Sequence, residues 1–161
     1  MKEPLSDKER EREEMRIIER LKEALGEAFI KHEFRRYLRK RTAFVTIRKE
    51  GIRQAAEILL EEGARLMTAS GVDLGAKRPE LEVIYHLVID DKGIILNIRA
   101  SVPKEKPVMD SITPLIPGAN FIEREIHDLF GIYFEGHPEI HKRVIIADDW
   151  PEGVYPLRKK E

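Results

Sequence analysis

The chain has 161 residues, 29 basic against 30 acidic, no cysteine, and 37% Asp, Glu, Lys and Arg. That length makes a single domain able to hide roughly 70% of its unfolded surface. Balanced charge argues against a dedicated nucleic-acid binder, and the lack of cysteine excludes disulfides, thiolate-held clusters and a thiol nucleophile.

Hydrophobic residues at 42% are ordinary, but the charged fraction exceeds the usual ~25%. A surface dense in ion pairs follows, of the kind enriched in heat-adapted proteins, so a hyperthermophilic source is expected. The opening KEPLSDKEREREE is charged and has no apolar stretch of the signal-peptide kind, so export is not expected. Apolar runs fall far short of the roughly 20 residues that span a bilayer. Contact with a membrane is therefore expected only through a partner.

Ser6 and Glu9 have the spacing of a capping box, and Met15, Ile18, Leu21, Leu25 and Ala28 recur at helical intervals, which predicts a helix over 7–26. Its first turns are almost wholly charged. They read either as a solvent-projecting end or as an arm that orders on a partner. The segment 29–39 alternates too imperfectly to assign, whereas Ala43, Val45 and Ile47 against Phe44, Thr46 and Arg48 form a period-two strand suited to a sheet edge. Basic residues crowd Lys31 to Arg53, including Arg35, Arg36, Arg39, Lys40, Arg41, Arg48 and Lys49. They read as a solvated basic face, with phosphate, anionic lipid, an acidic partner or nucleic acid as the alternatives.

Ile52, Ala55, Ala56, Leu59 and Leu60 predict an amphipathic helix closed by Gly63. A polar turn follows Ser70. Leu81, Val83, Tyr85, Leu87 and Ile89 then share one face, Asp90 to Gly93 turn the chain, and Ile94, Leu96, Ile98 and Ala100 return, which predicts a hairpin. Pro103, Pro107, Pro114 and Pro117 mark extended or looped chain. Asn120 reads as the cap of a helix that stops at Gly131, with an irregular tail beyond that wraps a neighbour. The fold class is α/β (α+β): a mixed sheet packed on helices, with an α/β body over 1–103 and a motif helix and tail over 104–161, one domain overall.

Two constellations invite chemistry. Glu123, His127 and Asp128 on one helix could share a proton or metal, as a small stand-alone enzyme would require. His137 and His141 are four apart, like a two-histidine metal face, but lack a third ligand at fixed spacing. The blander reading makes Glu123, Arg124, Glu125 and Asp128 members of ion pairs at a partly buried interface. No phosphate-cradling glycine loop or nucleophile elbow is present in the sequence.

The run NFIEREIHDLFGIYFEGHP at 120–138, then DDW at 148–150 and PLRK at 156–159, resembles the signature of the C subunit, or thirty-kilodalton subunit, of respiratory complex I. The same family occurs in membrane-bound [NiFe] hydrogenases and sulfur-reducing relatives. The resemblance implies a cofactor-free, non-catalytic scaffold subunit of the peripheral arm, on the cytoplasmic side of the membrane. It implies docking on a large subunit that is hydrogenase-large-subunit-like, or similar to the D subunit of complex I. It also implies a small Fe–S subunit nearby and membrane subunits reached indirectly. Fe–S clusters and a NiFe centre are then expected in the partners, with no catalytic, cofactor or metal residue in this chain. By position the docking residues are Glu123, Arg124, Glu125, Asp128, Phe130, Gly131, Phe134, Gly136, His137, Pro138, Trp150, Pro156, Leu157 and Arg158. His141 intervenes before Lys142 and Arg143, where the family has its basic pair sooner. The sequence ending at Glu161 and its heavy surface charge look more like the archaeal hydrogenase or sulfur-reducing form than the NADH- or quinone-linked one.

Overall fold

The computed structural model describes residues 5–37 and 40–159. Helix α1 (Asp7–Leu25) starts at the expected capping box: Glu9 N–H donates to the Ser6 hydroxyl, and Ser6 N–H donates back to the Glu9 carboxylate at 2.9 Å. Its apolar stripe, Ile17, Ile18, Leu21 and Leu25, is buried. The charged first turns do not project from the body. Arg41 reaches Glu11 at 3.3 Å and Glu14 at 2.8 Å, which ties the helix start to the sheet.

Strands β1 (Phe29–Tyr37), β2 (Lys40–Arg48), β3 (Arg65–Asp73), β4 (Glu80–Ile89) and β5 (Ile94–Pro103) form one sheet in the order β1-β2-β5-β4-β3. Helix α2 (Ile52–Glu61) follows β2, and the chain beyond it turns at Gly63, whose φ is +82°. The predicted hairpin is β4–β5, in continuous antiparallel register from Glu80–Pro103 to Ile89–Ile94. β2 is not an edge strand. It lies between antiparallel β1 and parallel β5, and its alternation reflects two unlike sheet faces. The segment left unassigned in the sequence, 29–39, supplies over 29–37 one edge of the sheet, opposite β3. A register shift at Phe29/Lys31 and its charged side chains interrupt its pattern, a common defence of exposed edges.

One sheet face carries Val45, Ile47, Leu81, Val83, Tyr85, Leu87, Leu96 and Ile98 into the core against the helices. The other face is polar. There Ser70 bonds His86 Nε2 (2.9 Å), His86 Nδ1 bonds Asn97 Oδ1 (2.6 Å), and Asn97 Nδ2 donates to Thr42 Oγ1 (2.8 Å) and the Ala43 carbonyl (2.9 Å). This chain of bonds satisfies the buried Asn97 across four strands.

Beyond the sheet, β6 (Val108–Asp110) pairs in parallel with β7 (Tyr133–Glu135), and α3 (Asn120–Phe130) lies between them in sequence. Phe130 and Ile126 of α3 pack on β3 at Gly71. A Cβ there would fall 2.6 Å from the Phe130 ring, so only glycine permits the approach. Asn120 is not a side-chain cap: it is the first helical residue, and its amide donates to Glu139 (3.2 Å) and accepts from Arg124 (3.1 Å). The tail returns onto its own α3 and β3. Leu157 N–H donates to the Leu129 carbonyl (3.1 Å), Arg158 Nε donates to the Phe130 carbonyl (2.7 Å), and Lys159 N–H donates to Asp73 (2.8 Å).

Candidate functional site

The motif helix and tail divide into an inner and an outer set. Glu123 is wholly buried and accepts from Tyr85 Oη (2.7 Å), Ile112 N–H (2.9 Å), Thr113 Oγ1 (2.7 Å) and Ser111 Oγ. Among the described residues no cation pairs with it, which corrects the expectation of an ion pair. Four neutral donors can hold a buried carboxylate because each aligns a dipole on it. Burial first, and then the Glu123 charge, push the Tyr85 phenol well above its ordinary value, so it stays a donor. The chemical result is a joint between β4, the loop before α3, and α3 itself.

Asp128 is buried too. Its Oδ2 accepts from the N–H groups of Val144 (2.8 Å) and Ile145 (3.0 Å), so it fixes the start of the tail. Arg124 clasps the same region by donating to the Lys142 carbonyl (3.0 Å), and it faces Glu139 at 3.8 Å. The Glu125 side chain is half-buried and makes no hydrogen bond or ion pair among the described residues. Gly131 adopts the left-handed conformation (φ +72°) at the end of α3, with the Tyr155 ring lying where a side chain would be. The turn thus receives the returning tail.

The proposed chemical constellations do not assemble. His127 Nδ1 donates to the Ile132 carbonyl (2.9 Å), while Glu123 and Asp128 are held by the separate partners above. His137 uses both nitrogens: Nε2 donates to the Asn120 carbonyl (3.0 Å) and Nδ1 accepts from Glu139 N–H (2.9 Å). This neutral tautomer staples the turn after β7 to the start of α3. His141 is exposed beside the Tyr133 ring. Among the described residues no group of three or more His, Asp or Glu is placed to hold a metal ion.

The fourteen expected docking positions therefore separate by exposure. Glu123, Asp128, Phe130, Gly131, Phe134 and His137 are buried in the chain's own fold and present no free surface. Arg124, Glu125 and Arg158 are half-buried, and Gly136, Pro138, Trp150, Pro156 and Leu157 are exposed. Exposed with them are Phe121, Tyr133, Ile145 and Val154, which the motif did not nominate. Phe121 lies on α3 and Tyr133 on β7, whereas Ile145, Trp150, Val154 and Leu157 lie on the irregular tail.

Residues 45–161 match the family model described as respiratory-chain NADH dehydrogenase, 30 Kd subunit. The chain belongs to this family. The C subunit of a NADH-quinone oxidoreductase from Roseiflexus sp. (strain RS-1) is 37% identical over 148 residues, covering 89% of this chain and 80% of that protein. The C subunit of the F(420)H(2) dehydrogenase of Methanosarcina mazei is 39% identical over 94 residues, 58% of each. Among solved structures, a chain of the membrane-bound sulfane sulfur reductase, an archaeal respiratory membrane complex, superposes with a TM-score of 0.73 at 27% identity. The match covers 91% of this chain and 84% of that one. The trypsin-resistant fragment of Nqo5 gives 0.62 at 33% identity, covering 76% and 98%. No described helix of this 30 Kd family member is long and apolar enough to cross a membrane.

The basic stretch of this family member is largely engaged within the chain. Arg36 and Arg41 face Glu11, Arg35 and Lys31 face Glu33, and Lys49 Nζ donates to the Val108 carbonyl (3.0 Å). Arg39 and the side chain of Lys40 lie outside the described residues. Tyr85, Ser111 and Thr113, the partners of Glu123, were not anticipated from the sequence. The alternating hydroxyls of Ser111-Ile112-Thr113 are the one local signal of a carboxylate clasp; Tyr85 lies 38 residues away, with no local signal.

Proposed function

We propose that this chain is a non-catalytic, cofactor-free scaffold subunit of a membrane-bound, ion-translocating oxidoreductase. It would sit on the cytoplasmic side and dock on a large catalytic subunit, either hydrogenase-like or similar to the D subunit of complex I. A small Fe–S subunit would adjoin it, with the redox centres in those partners. The observation that carries the reading is the division of the family signature. Its ionisable inner residues are bonded within the fold, and its apolar outer residues, Trp150, Pro138 and Leu157 with Tyr133, Ile145 and Val154, are left exposed on β7 and a pinned tail. Large aromatic and aliphatic anchors held in place suit a protein interface better than a reaction centre.

Within that reading the parent complex is of the archaeal membrane-bound [NiFe] hydrogenase type, with two alternatives of the same family: a NADH- or quinone-linked complex I, supported by 37% identity over 89% of the chain to a C subunit of a NADH-quinone oxidoreductase, and a sulfur-reducing complex. Likeness over 91% of the chain to a subunit of a sulfane sulfur reductase supports the sulfur-reducing branch. A heat-adapted source belongs to the same proposal, supported by the linked ion pairs of Glu62 with Arg16, Arg20 and Lys92. The test is purification of the native complex through this chain, followed by metal analysis and assays. Co-purification of a large subunit and an Fe–S subunit is expected, with no redox metal in the isolated chain. Nickel with hydrogen evolution assigns the hydrogenase branch; sulfur or quinone reduction without nickel assigns the corresponding alternative. Recovery of the chain alone, or a stoichiometric redox metal in it, overturns the scaffold reading.

A further inference from the structure

The loop from Arg143 to Tyr155 has no helix or strand and exposes Ile145, Trp150 and Val154, which are 48%, 36% and 48% accessible. Such a segment needs a reason to hold one shape, because ordering it costs backbone conformational entropy. Arg143 supplies one. Its Nη1 donates to the carbonyls of Ala147 (2.6 Å) and Asp148 (2.8 Å), and its Nη2 donates to the carbonyl of Trp150 (3.0 Å). Trp150 N–H closes a turn on the Ala147 carbonyl (3.0 Å), and its indole Nε1 donates to the Val154 carbonyl (2.8 Å). One guanidinium thus gathers three main-chain acceptors inside the loop, while Asp128 fixes the loop's entrance.

We propose that Arg143 is the positioning residue of the docking surface: its guanidinium prefolds the loop so that Trp150, Ile145 and Val154 meet the large partner subunit already in place. This rests on the scaffold reading above and assigns a role to a residue outside the expected docking set. The chemistry needs arginine specifically. A planar fork with several fixed N–H directions can serve three carbonyls at once, whereas a lysine ammonium is a compact point charge that does not reproduce that fork. Without the fork the loop samples other shapes. Apparent affinity then falls in proportion to the fraction that remains binding-competent, and each interface side chain must be ordered during binding instead of before it.

Trp150 is the sole tryptophan of the chain, so its fluorescence reports this loop alone. The test compares wild type, Arg143→Ala, Arg143→Lys and Trp150→Ala. Emission wavelength and acrylamide quenching are measured on the full isolated chain where Trp150 is retained. Affinity is measured for all four against the large subunit purified from the native complex. Circular dichroism on each variant checks that the body remains folded. Both Arg143 variants are expected to emit at longer wavelength, quench more readily and bind about 10-fold or more weakly, with the body's melting transition retained. Arg143→Lys behaving as wild type in fluorescence and binding overturns the role of the fork. Unchanged Trp150 emission and quenching in Arg143→Ala overturns the positioning role whatever the binding shows, and shifted emission with wild-type affinity overturns its relevance to docking. Trp150→Ala separates the two readings: if it binds like wild type, the docking surface itself is misplaced.

Discussion

Two carboxylates in this chain, Glu123 and Glu62, each gather several partners in opposite ways. Glu123 is fully buried and accepts only from hydroxyls and one N–H, with no cation among the described residues. Glu62, beside the end of α2, meets Arg16 at 2.5 Å, Arg20 at 2.7 Å and Lys92 at 3.4 Å, and those cations are 47%, 39% and 22% exposed. Hydrogen bonding to Arg16, helped by Arg20 and by the charges of Arg16 and Lys92, outweighs burial and lowers the Glu62 pKa to about 2. The contrast teaches where this protein uses specificity and where it uses bulk charge. A buried anion held by directional neutral donors fixes one geometry of α3 against the sheet. Glu62, whose own side chain is only 7% exposed, is held instead by long flexible cations that themselves reach solvent, and it ties α1 to α2 with less geometric demand.

The sharpest way to break the comparison is Glu123→Ala. It leaves three hydroxyls and one N–H buried without their acceptor, so urea unfolding is expected to show a loss of about 4 kcal/mol or more. Glu123→Gln retains one acceptor and falls between that variant and wild type. A loss under about 1 kcal/mol for Glu123→Ala would mean that the buried joint does not organise α3.

Glu62→Ala is expected to cost only about 1–2 kcal/mol, because solvent screens the three cations, and the loss shrinks in high salt. An effect equal to that of Glu123→Ala and insensitive to salt would erase the distinction. The pH dependence has a definite sign. The Glu62 pKa is depressed from 4.5 to about 2 in the fold, so its contribution is present above pH 4.5 and is lost as pH falls toward 2. Wild type minus Glu62→Ala, measured by denaturant midpoints across pH 2–6, should show that loss.

The smallest expected effect concerns Glu82, on the sheet's polar face. Burial raises its pKa, and Arg99 and Arg78 offset this only in part. Its folded pKa therefore exceeds the unfolded one, and its contribution improves as pH falls and is lost as pH rises through the folded value. Glu82→Gln should leave stability at pH 7 unchanged or raise it by less than about 1 kcal/mol. A clear loss at pH 7 would show that the carboxylate is needed in its charged form.

What the sequence revealed follows the range of the forces involved. The β4–β5 hairpin was legible because Leu81, Val83, Tyr85, Leu87 and Ile89 keep an apolar residue at every second position and the turn is local. The α1 start and the Gly131 stop were legible because capping chemistry spans only a few residues. β1 was not, because an edge strand with a register shift buries too little to impose a period. β2 was misplaced at an edge because an uncovered sheet face and a sheet edge both tolerate polar alternation. The motif located the contact region but not its division: Glu123 and Trp150 belong to one signature, yet only contacts reaching Tyr85 and Val154 show that the first faces inward and the second outward.

Hydrogen exchange on the isolated chain and on the native complex tests that division most directly. Residues 111–113 and 123–135 are expected to be equally protected in both states, because their bonds lie within the chain and are buried, whereas the exposed loop 146–154, prefolded but reached by solvent, gains further protection in the complex. Unchanged exchange over 146–154, with new protection falling instead on the polar sheet face around Ser70, His86 and Asn97, would contradict it.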